Sequence, residues 1–229
     1  MWYGIVKEKP LKIKELAMFI TLEGTEGAGK TTQLPHLVRF LENRGYDCIV
    51  TREPGGTPTG QKIRALLLDP ANKDITPEAE LFLYAADRAQ HVRTVIAPAL
   101  AEGKAVICDR FCDATEAYQG VARGLDRRLI DMLNRVATDG LKPDITILFD
   151  LPPETGLARA WERIRNNGDA IADHRFETEN LNFHDRVRKG YLEIAAREPA
   201  RFLIVNAADN EETVRQELLE GVGRRVEAL

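Results

Sequence analysis

The sequence FITLEGTEGAGKT, residues 19–31, decides the fold. Its first five residues are an apolar run typical of a short buried strand. The next eight fit the pattern G-x-x-x-x-G-K-[ST], and a helical stretch begins at residue 30. Glycines let such a loop curl so that its N–H groups point at phosphate oxygens, and the helix N-terminus adds partial positive charge. The stretch therefore predicts a phosphate-binding loop between a strand and a helix.

The loop predicts the binding mode of a nucleoside triphosphate. Lys30 is expected to reach the β- and γ-phosphates, and the Thr31 hydroxyl to ligate Mg²⁺. The residues expected to contact ATP are Gly24, Thr25, Glu26, Gly27, Ala28, Gly29, Lys30, Thr31 and Thr32. The guanine-reading motif N-K-x-D, typical of GTPases, does not occur in the sequence. A switch ATPase stays possible, because Asp109 and Asp150 both follow apolar strands where that class places a catalytic acid.

The rest of the chain alternates apolar strand candidates with longer helical stretches. Strands are predicted at 19–23, 47–52, 105–109, 144–150 and 202–206, and helices at 30–43, 60–68, 78–100, 127–138, 153–165, 181–197 and 210–226. Strands that are apolar on both faces and separated by helices indicate a parallel sheet covered on both sides. The expected fold is α/β, a P-loop NTPase fold with a five-stranded parallel sheet, helices on both faces and a small lid. Ligands then bind at the carboxyl ends of the strands.

Length and charge limit the classes of partner. The chain has 229 residues and a formal net charge of −4, which favours one domain that handles nucleotides over a nucleic-acid or membrane binder. Three cysteines without C-x-x-C spacing indicate reduced thiols, and the sequence shows neither an export signal nor a transmembrane segment, so we expect a cytoplasmic protein. Residues 1–17 are interpreted as an extension without an assigned role, 18–229 as the domain, and approximately 160–178 as its lid.

Three further segments predict a second binding site at the same sheet edge. The turn TREPGGT, residues 51–57, follows the second strand. Tyr84 and Arg88 are four apart on a helix and share a face, so an aromatic plane and a guanidinium can engage one base. Asp109 can organise Mg²⁺ and its waters, and Arg110 can hold a phosphate bidentately.

The segments TLEGTEGAGKTTQ, TREPGGTP, LFLYAADRAQHV and CDRFCDATEAYQG occur in the order and spacing that bacterial thymidylate kinases show. DITILFDLPPETGLARA and FLIVNAA extend the match, which runs from about Met18 to the C-terminus. The chain thus resembles this family of P-loop nucleoside-monophosphate kinases. The resemblance implies transfer of the γ-phosphate of ATP to dTMP for dTTP synthesis, with Mg²⁺, in a homodimer. A kinase of another pyrimidine nucleotide or of a deoxynucleoside, and a nucleotide-switched interaction ATPase, stay open as alternatives.

The resemblance also assigns roles to the acceptor residues. It implies that Tyr84 stacks on thymine, where the family usually has Phe, and that Arg88 bonds the base. Arg110 would grip the dTMP phosphate, with Arg64 or Arg52 beside it. The remaining implied contacts of dTMP are Glu26 at the 3′-hydroxyl, Tyr118 under the sugar, Thr115 and Gln119 at the pyrimidine edge, and Glu53.

The transition state needs positive charge that the loop does not supply, because the loop carries Glu26 and no arginine. The family variant with arginines in the lid suggests Arg163 and Arg165, with Arg175 after the Asn-Asn-Gly-Asp break. The expected catalytic residues are Lys30, Asp109, Arg110, Arg163 and Arg165. His174 and His184 are predicted to lie at the surface.

Overall fold

The computed structural model describes residues 17–167 and 175–228. The expected extension, residues 1–17, lies outside them except for Ala17, and so does the middle of the expected lid, including His174. The strands are β1 Met18–Glu23, β2 Cys48–Arg52, β3 Ala105–Asp109, β4 Ile145–Asp150 and β5 Phe202–Asn206. The helices are α1 Lys30–Glu42, α2 Pro58–Leu68, α3 Pro77–His91, α4 Ala97–Ala101, α5 Cys112–Thr115, α6 Arg127–Thr138, α7 Pro153–Asn167, α8 Leu181–Arg197 and α9 Glu211–Val226, with π-helical segments at Val92–Ile96 and Glu116–Ala122.

All five strands form one parallel sheet in the order β2-β3-β1-β4-β5. The predicted α/β fold is therefore confirmed. Strand β1 lies at the centre, with Ile20 paired to Ile107 of β3 and to Ile145 of β4. The loop after β1 consequently opens at the middle of the carboxyl edge of the sheet, where the flanking strands also end.

The expectation that every strand is apolar on two buried faces holds for the inner strands only. Val50 of β2 is 51% exposed and Ile204 of β5 is 45% exposed. Both strands lie at the edges of the sheet, where no further strand covers them among the described residues. Periodicity alone does not tell an edge strand from an inner one, because both are β-branched and short.

Two helical features differ from the prediction. The helix predicted at 78–100 is continuous, but α3 passes through the π-helical segment Val92–Ile96 before α4. The stretch from Cys112 to Ala122 was not predicted as a helix, yet it forms α5 and a second π-helical segment. Its five-residue hydrogen-bond spacing shifts the apolar residues off a 3.6-residue period, so the usual helical pattern is weak there.

Buried clusters cover both faces of the sheet. On one face, Ile20 and Leu22 of β1 belong to a cluster with Leu37 of α1 and Leu218 of α9. Phe19, which directly precedes Ile20 on β1, packs in a separate cluster on the opposite face. Alternation along β1 therefore anchors the phosphate-binding loop to helices on both sides. Among the described residues, no helix has the length and apolar character needed to cross a membrane.

Helix α7 packs directly against the backbone of the phosphate loop. Gly27 has a φ of +68°, and a Cβ there would lie 2.1 Å from the carbonyl oxygen of Gly156. A Cβ on Gly156 would in turn lie 2.4 Å from the carbonyl oxygen of Glu26. Only glycine at both positions permits this close approach. The contact fixes the first turn of α7 relative to the loop, and α7 carries Arg163 and Arg165.

Gly156→Ala is expected to destabilise the protein by roughly 1–3 kcal/mol, because the new methyl group must push α7 away from the loop. Helix propensity alone would give the opposite sign, since alanine is favoured over glycine in a helix. Gly223→Ala in α9 is the matched control, because its Cβ would meet only Phe40 at an ordinary 3.4 Å. Urea unfolding measures both variants. A Gly156→Ala protein as stable as Gly223→Ala would show that the close approach is not a constraint.

Candidate active site

The phosphate loop holds its lysine in a cage of backbone carbonyls. The Nζ of Lys30 donates to the carbonyl oxygen of Gly24 at 2.9 Å and to that of Thr25 at 3.1 Å. Burial, and after it the charge of Arg110, lowers the pKa of Lys30 to about 8. A phosphate entering the loop would supply the negative charge that this buried ammonium lacks.

Two cavities flank the loop. The first cavity, about 250 Å³, lies between the loop, α2, α3 and the segment after β3. The second cavity, about 540 Å³, lies between the loop, α7 and the start of α9. The residues that line both cavities are Gly27, Lys30, Thr31 and Arg163. The cavities therefore meet at the lysine of the loop and one arginine of α7.

The predicted acceptor residues come together around the first cavity. Its lining includes Glu26, Arg52, Glu53, Arg64, Tyr84, Arg88, Arg110, Thr115, Tyr118 and Gln119. The amide nitrogen of Gln119 is held by Glu80 at 2.9 Å. Phe176 also lines this cavity and stacks edge-on against Tyr118, with ring centroids 5.5 Å apart. Sequence reasoning missed Phe176 because it follows the break after α7, where no periodic pattern indicates burial.

The predicted ATP residues divide between the two sides of the loop. Ala28, Gly29 and Thr32 line the second cavity together with the residues shared by both. Glu26 was expected to contact both nucleotides, but it lines the first cavity only. Gly24 and Thr25 line neither cavity, and their carbonyl groups serve Lys30 instead.

Most of the N–H donors of Arg88 are hydrogen-bonded to groups of the protein itself. Its Nε donates to Glu53 at 2.8 Å, its Nη1 to Thr115 at 3.0 Å and to Asn134 at 2.8 Å. Its Nη2 donates to the carbonyl oxygen of Phe111 at 2.9 Å. These bonds use four of the five N–H donors of a guanidinium, so one is left for a ligand.

Glu53 supports Arg88 rather than pointing freely into the cavity. One carboxylate oxygen accepts from Arg88, and the other lies 2.9 Å from Nδ1 of His91. Glu53 is buried, so these partners satisfy a charge that would otherwise be costly. The contact of Glu53 with dTMP that the sequence suggested would have to use acceptor sites that these two partners leave open.

Glu26 is the centre of a polar cluster below the first cavity. It accepts from Nη2 of Arg110 at 2.9 Å and from the Tyr118 hydroxyl at 2.6 Å. Burial acts to raise its pKa, but the charge of Arg110, the nearby His184 and the hydrogen bond of Tyr118 outweigh burial and hold that pKa well below its usual range. The Glu26 carboxylate is therefore ionised at neutral pH and balances the charge of Arg110.

The prediction that His184 lies at the surface is wrong. His184 is 1% exposed, with Nδ1 3.2 Å from Glu26 Oε2 and Nε2 3.1 Å from the carbonyl oxygen of Phe176. The signal was present in the sequence, because residues 184, 187, 191 and 194 follow the 3- and 4-residue spacing of the buried stripe of α8. Treating histidine as polar by default concealed this position.

The two candidate acids after strands β3 and β4 differ in their surroundings. Asp150 accepts a bidentate pair from Arg188, at 2.7 and 2.9 Å, so its carboxylate is already occupied. Asp109 lines the first cavity, and its Oδ1 is buried without a hydrogen-bond partner among the described residues. No cluster of three or more His, Cys, Asp or Glu suited to a metal occurs in the described part of the chain. Mg²⁺ needs none, because it commonly uses one carboxylate, waters and substrate phosphates.

The structure separates the three lid arginines. Arg163 lines both cavities, whereas Arg165 is exposed and lines neither. Arg175 is buried, and its Nη1 donates to Glu80 at 2.7 Å and to the carbonyl oxygen of Leu67 at 3.2 Å. Arg175 thus ties the segment after the expected lid break to α3 and α2. Of the two predicted catalytic arginines, Arg163 and Arg165, only Arg163 reaches the junction of the cavities.

A phosphate-binding loop on a parallel sheet, between two cavities that meet at its lysine, defines a P-loop kinase acting on a phosphorylated acceptor. The family model for thymidylate kinase matches residues 22–218. Three curated relatives carry the name thymidylate kinase. The one from Desulfosudis oleivorans is 71% identical over 83% of this chain and 89% of the relative. Those from Desulforapulum autotrophicum and Desulfovibrio desulfuricans are 55% and 53% identical, over 91% and 86% of this chain and 92% and 91% of the relatives. The chain belongs to the thymidylate kinase family and is an enzyme, an ATP-dependent dTMP kinase.

The hydrogen bonds of Arg88 predict a large structural cost for its removal. Arg88→Ala is expected to lower the free energy of unfolding by roughly 3–5 kcal/mol, because Glu53 would be left buried without its main partner. Arg52→Ala is the control, since Arg52 lines the same cavity but is exposed, and we expect a change within about 0.5 kcal/mol. Urea unfolding compares the two. Equal stability of both variants would contradict a structural role for Arg88.

Proposed function

We propose that dTMP occupies the first cavity and ATP the second, so that the γ-phosphate passes to the 5′-phosphate between Lys30 and Arg163. The observation that carries this assignment is the set of residues common to both cavities: Gly27, Lys30, Thr31 and Arg163. The loop backbone binds the phosphates of ATP, and the start of α9 closes the far end of the second cavity. Each nucleotide then occupies its own cavity, and the two meet only at their phosphates.

The first cavity suits a pyrimidine deoxynucleotide. The ring of Tyr84 provides a stacking surface, and the remaining N–H of Arg88 can donate to a base carbonyl. Arg110 and Arg64 face the same cavity and supply the charge for the 5′-phosphate. Tyr118 and Glu26, joined by their 2.6 Å hydrogen bond, form the floor under the sugar.

The reaction depends on position and charge. The acceptor is already an anionic phosphate, so transfer requires no strong general base. Lys30 and Arg163 approach the moving phosphoryl group from the loop and from α7, and they stabilise the charge on its oxygens. Arg110 exchanges part of its contact with Glu26 for the acceptor phosphate, which holds the attacking oxygen in line.

Mg²⁺ fits the chemistry of Thr31 and Asp109. Thr31 lines both cavities and has a hydroxyl group, and Asp109 of the first cavity has a buried oxygen with no hydrogen-bond partner among the described residues. When bound, Mg²⁺ would neutralise charge on the phosphates of ATP. Asp109 holds this position from the end of β3, and Thr31 from the first turn of α1.

We further propose a cytoplasmic homodimer that does not bind nucleic acid. Helix α3 packs against both α2 and α6, and the large exposed apolar side chains of these three helices are Leu66, Phe82, Met132 and Val136. A second copy of the chain would cover this surface and remove its apolar area from water. The net charge of −4 supports nucleotides rather than a polyanion as the ligands.

A panel of acceptors tests the proposed assignment. ADP release in the presence of dTMP is expected to exceed that with CMP or thymidine by about 100-fold or more, because those acceptors leave polar groups of the site unpaired. dUMP lacks only the methyl group, and turnover with it should fall by roughly 10- to 200-fold. Equal turnover with CMP or thymidine would overturn the assignment of the first cavity. Slow ATP hydrolysis that ignores dTMP would indicate a switch ATPase instead.

The geometry of α7 predicts different effects for its two arginines. Arg163→Ala is expected to lower kcat by about 100-fold or more, since it removes a charge from the site of transfer. Arg165→Ala is the matched control, two residues further along the helix and outside both cavities, and kcat should stay within about threefold. Steady-state kinetics at saturating dTMP decide. A larger loss for Arg165→Ala would transfer the catalytic role to that residue.

A further inference from the structure

Glu23 is a buried carboxyl group that the reaction described above does not use. It is the last residue of β1, immediately before the phosphate loop, and its side chain is inaccessible to solvent. It lines neither cavity. Burial of a carboxyl group is costly unless hydrogen bonds and charges compensate for it, so its partners indicate its role.

Both oxygens of Glu23 are hydrogen-bonded around Arg110. Oε1 accepts from the backbone N–H of Phe111 at 2.7 Å, and Oε2 accepts from the Tyr191 hydroxyl at 2.8 Å. The backbone N–H of Arg110 itself donates to the carbonyl oxygen of Leu22 at 2.9 Å. The end of β1 therefore fixes two consecutive amide groups, one before and one after the Arg110 side chain.

These hydrogen bonds from the Arg110 and Phe111 amides hold the backbone of Arg110 in an unfavourable conformation. Arg110 has a φ of +68°, in the left-handed region that L-residues other than glycine rarely adopt. Such a residue persists only when its surroundings determine it, and such positions concentrate at functional sites. The hydrogen bond from Phe111 to Glu23 supplies one of those determinants.

The side chain of Arg110 is linked to Glu23 as well. Its Nη1 donates to the Tyr191 hydroxyl at 3.3 Å, and that hydroxyl donates a hydrogen bond to Glu23. Burial, and next the charge of Asp113, raises the pKa of Glu23 to about 8, whereas the charge of Arg110 opposes them. Arg110 thus favours the ionised form of Glu23, which can accept both hydrogen bonds, while burial and Asp113 favour the neutral acid.

We propose that Glu23 is a positioning residue for dTMP binding, which acts through the Phe111 backbone and the Tyr191 hydroxyl to aim Arg110 at the acceptor phosphate. The inference rests on the proposed role of Arg110 in holding that phosphate. Glu26 contacts the guanidinium from the cavity side and is displaced in part by substrate. Glu23 instead contacts the Phe111 backbone and the Tyr191 hydroxyl outside the cavities, so substrate does not displace it.

Glu23→Gln tests the proposal with little change of shape. Glutamine can still accept from Phe111, but its amide group donates to Tyr191 and breaks the relay from Arg110. KM for dTMP is expected to rise about tenfold or more, as for a lost hydrogen bond to a charged group, while KM for ATP stays within about twofold. Tyr191→Phe removes the same relay without altering Glu23, so it should change the same constant if Glu23→Gln fails to fold.

Thr21→Val controls for damage to the strand. Thr21 is buried on β1 and hydrogen-bonded to Thr146 at 2.8 Å, without contact to Arg110. We expect a lower Tm and an unchanged ratio of the two KM values. If Glu23→Gln behaves in the same way, lowering Tm while leaving that ratio unchanged, Glu23 is merely structural and the proposal is overturned.

A double-mutant cycle with Arg110→Ala separates the remaining outcomes. If Glu23 acts through Arg110, Glu23→Gln should raise KM for dTMP by less than about twofold in the Arg110→Ala background. Independent, multiplying effects would overturn the inference about Glu23. If Arg110→Ala alone left KM for dTMP unchanged, the proposed phosphate contact of Arg110 would fail instead, which is a distinct result.

Discussion

The parallel pairing of β1 with β3 is the constraint on which the site depends. Leu22 stands opposite Asp109, so the phosphate loop and the segment that carries Arg110 leave the sheet side by side. The backbone hydrogen bond from Arg110 to Leu22 continues this pairing one residue beyond β3. The phosphate loop and the arginine proposed to bind the acceptor are therefore positioned by the same strand pairing, and a shift in its register would separate them.

The two cations proposed to hold substrate phosphates, Lys30 and Arg110, are bonded to groups of the protein itself. Lys30 is bonded to loop carbonyls, and Arg110 to Glu26 at 2.9 Å. In the proposed reaction, substrate phosphates are stronger partners for both cations, so binding would replace internal contacts rather than order loose side chains. This arrangement would lower the entropy cost of forming the reactive complex, although Arg110 would give up part of its ion pair. The proposed catalysis then depends mainly on positions that the sheet and α7 establish.

Most of the fold was predictable, because strand β1, the glycine pattern and the apolar strands are local signals. The sequence also indicated many of the residues that surround the first cavity, although not Phe176. It did not reveal how they are used, since partners distant in sequence decide that. Arg88 was interpreted as a base contact, yet most of its donors serve the protein. Arg175 and His184 are buried by contacts with α3 and with the loop, and the helix at Cys112–Ala122 departs from the 3.6-residue period.

In the proposed complex, the phosphate ends of ATP and dTMP meet between Lys30 and Arg163. A bisubstrate ligand, in which a chain of phosphates joins adenosine to thymidine, tests it most directly. Calorimetry should show that this ligand binds at least about 100-fold more tightly than ADP or dTMP alone, and that it competes with both. Binding no tighter than the better single nucleotide, or competition with only one of them, would contradict the meeting of the two cavities at the loop.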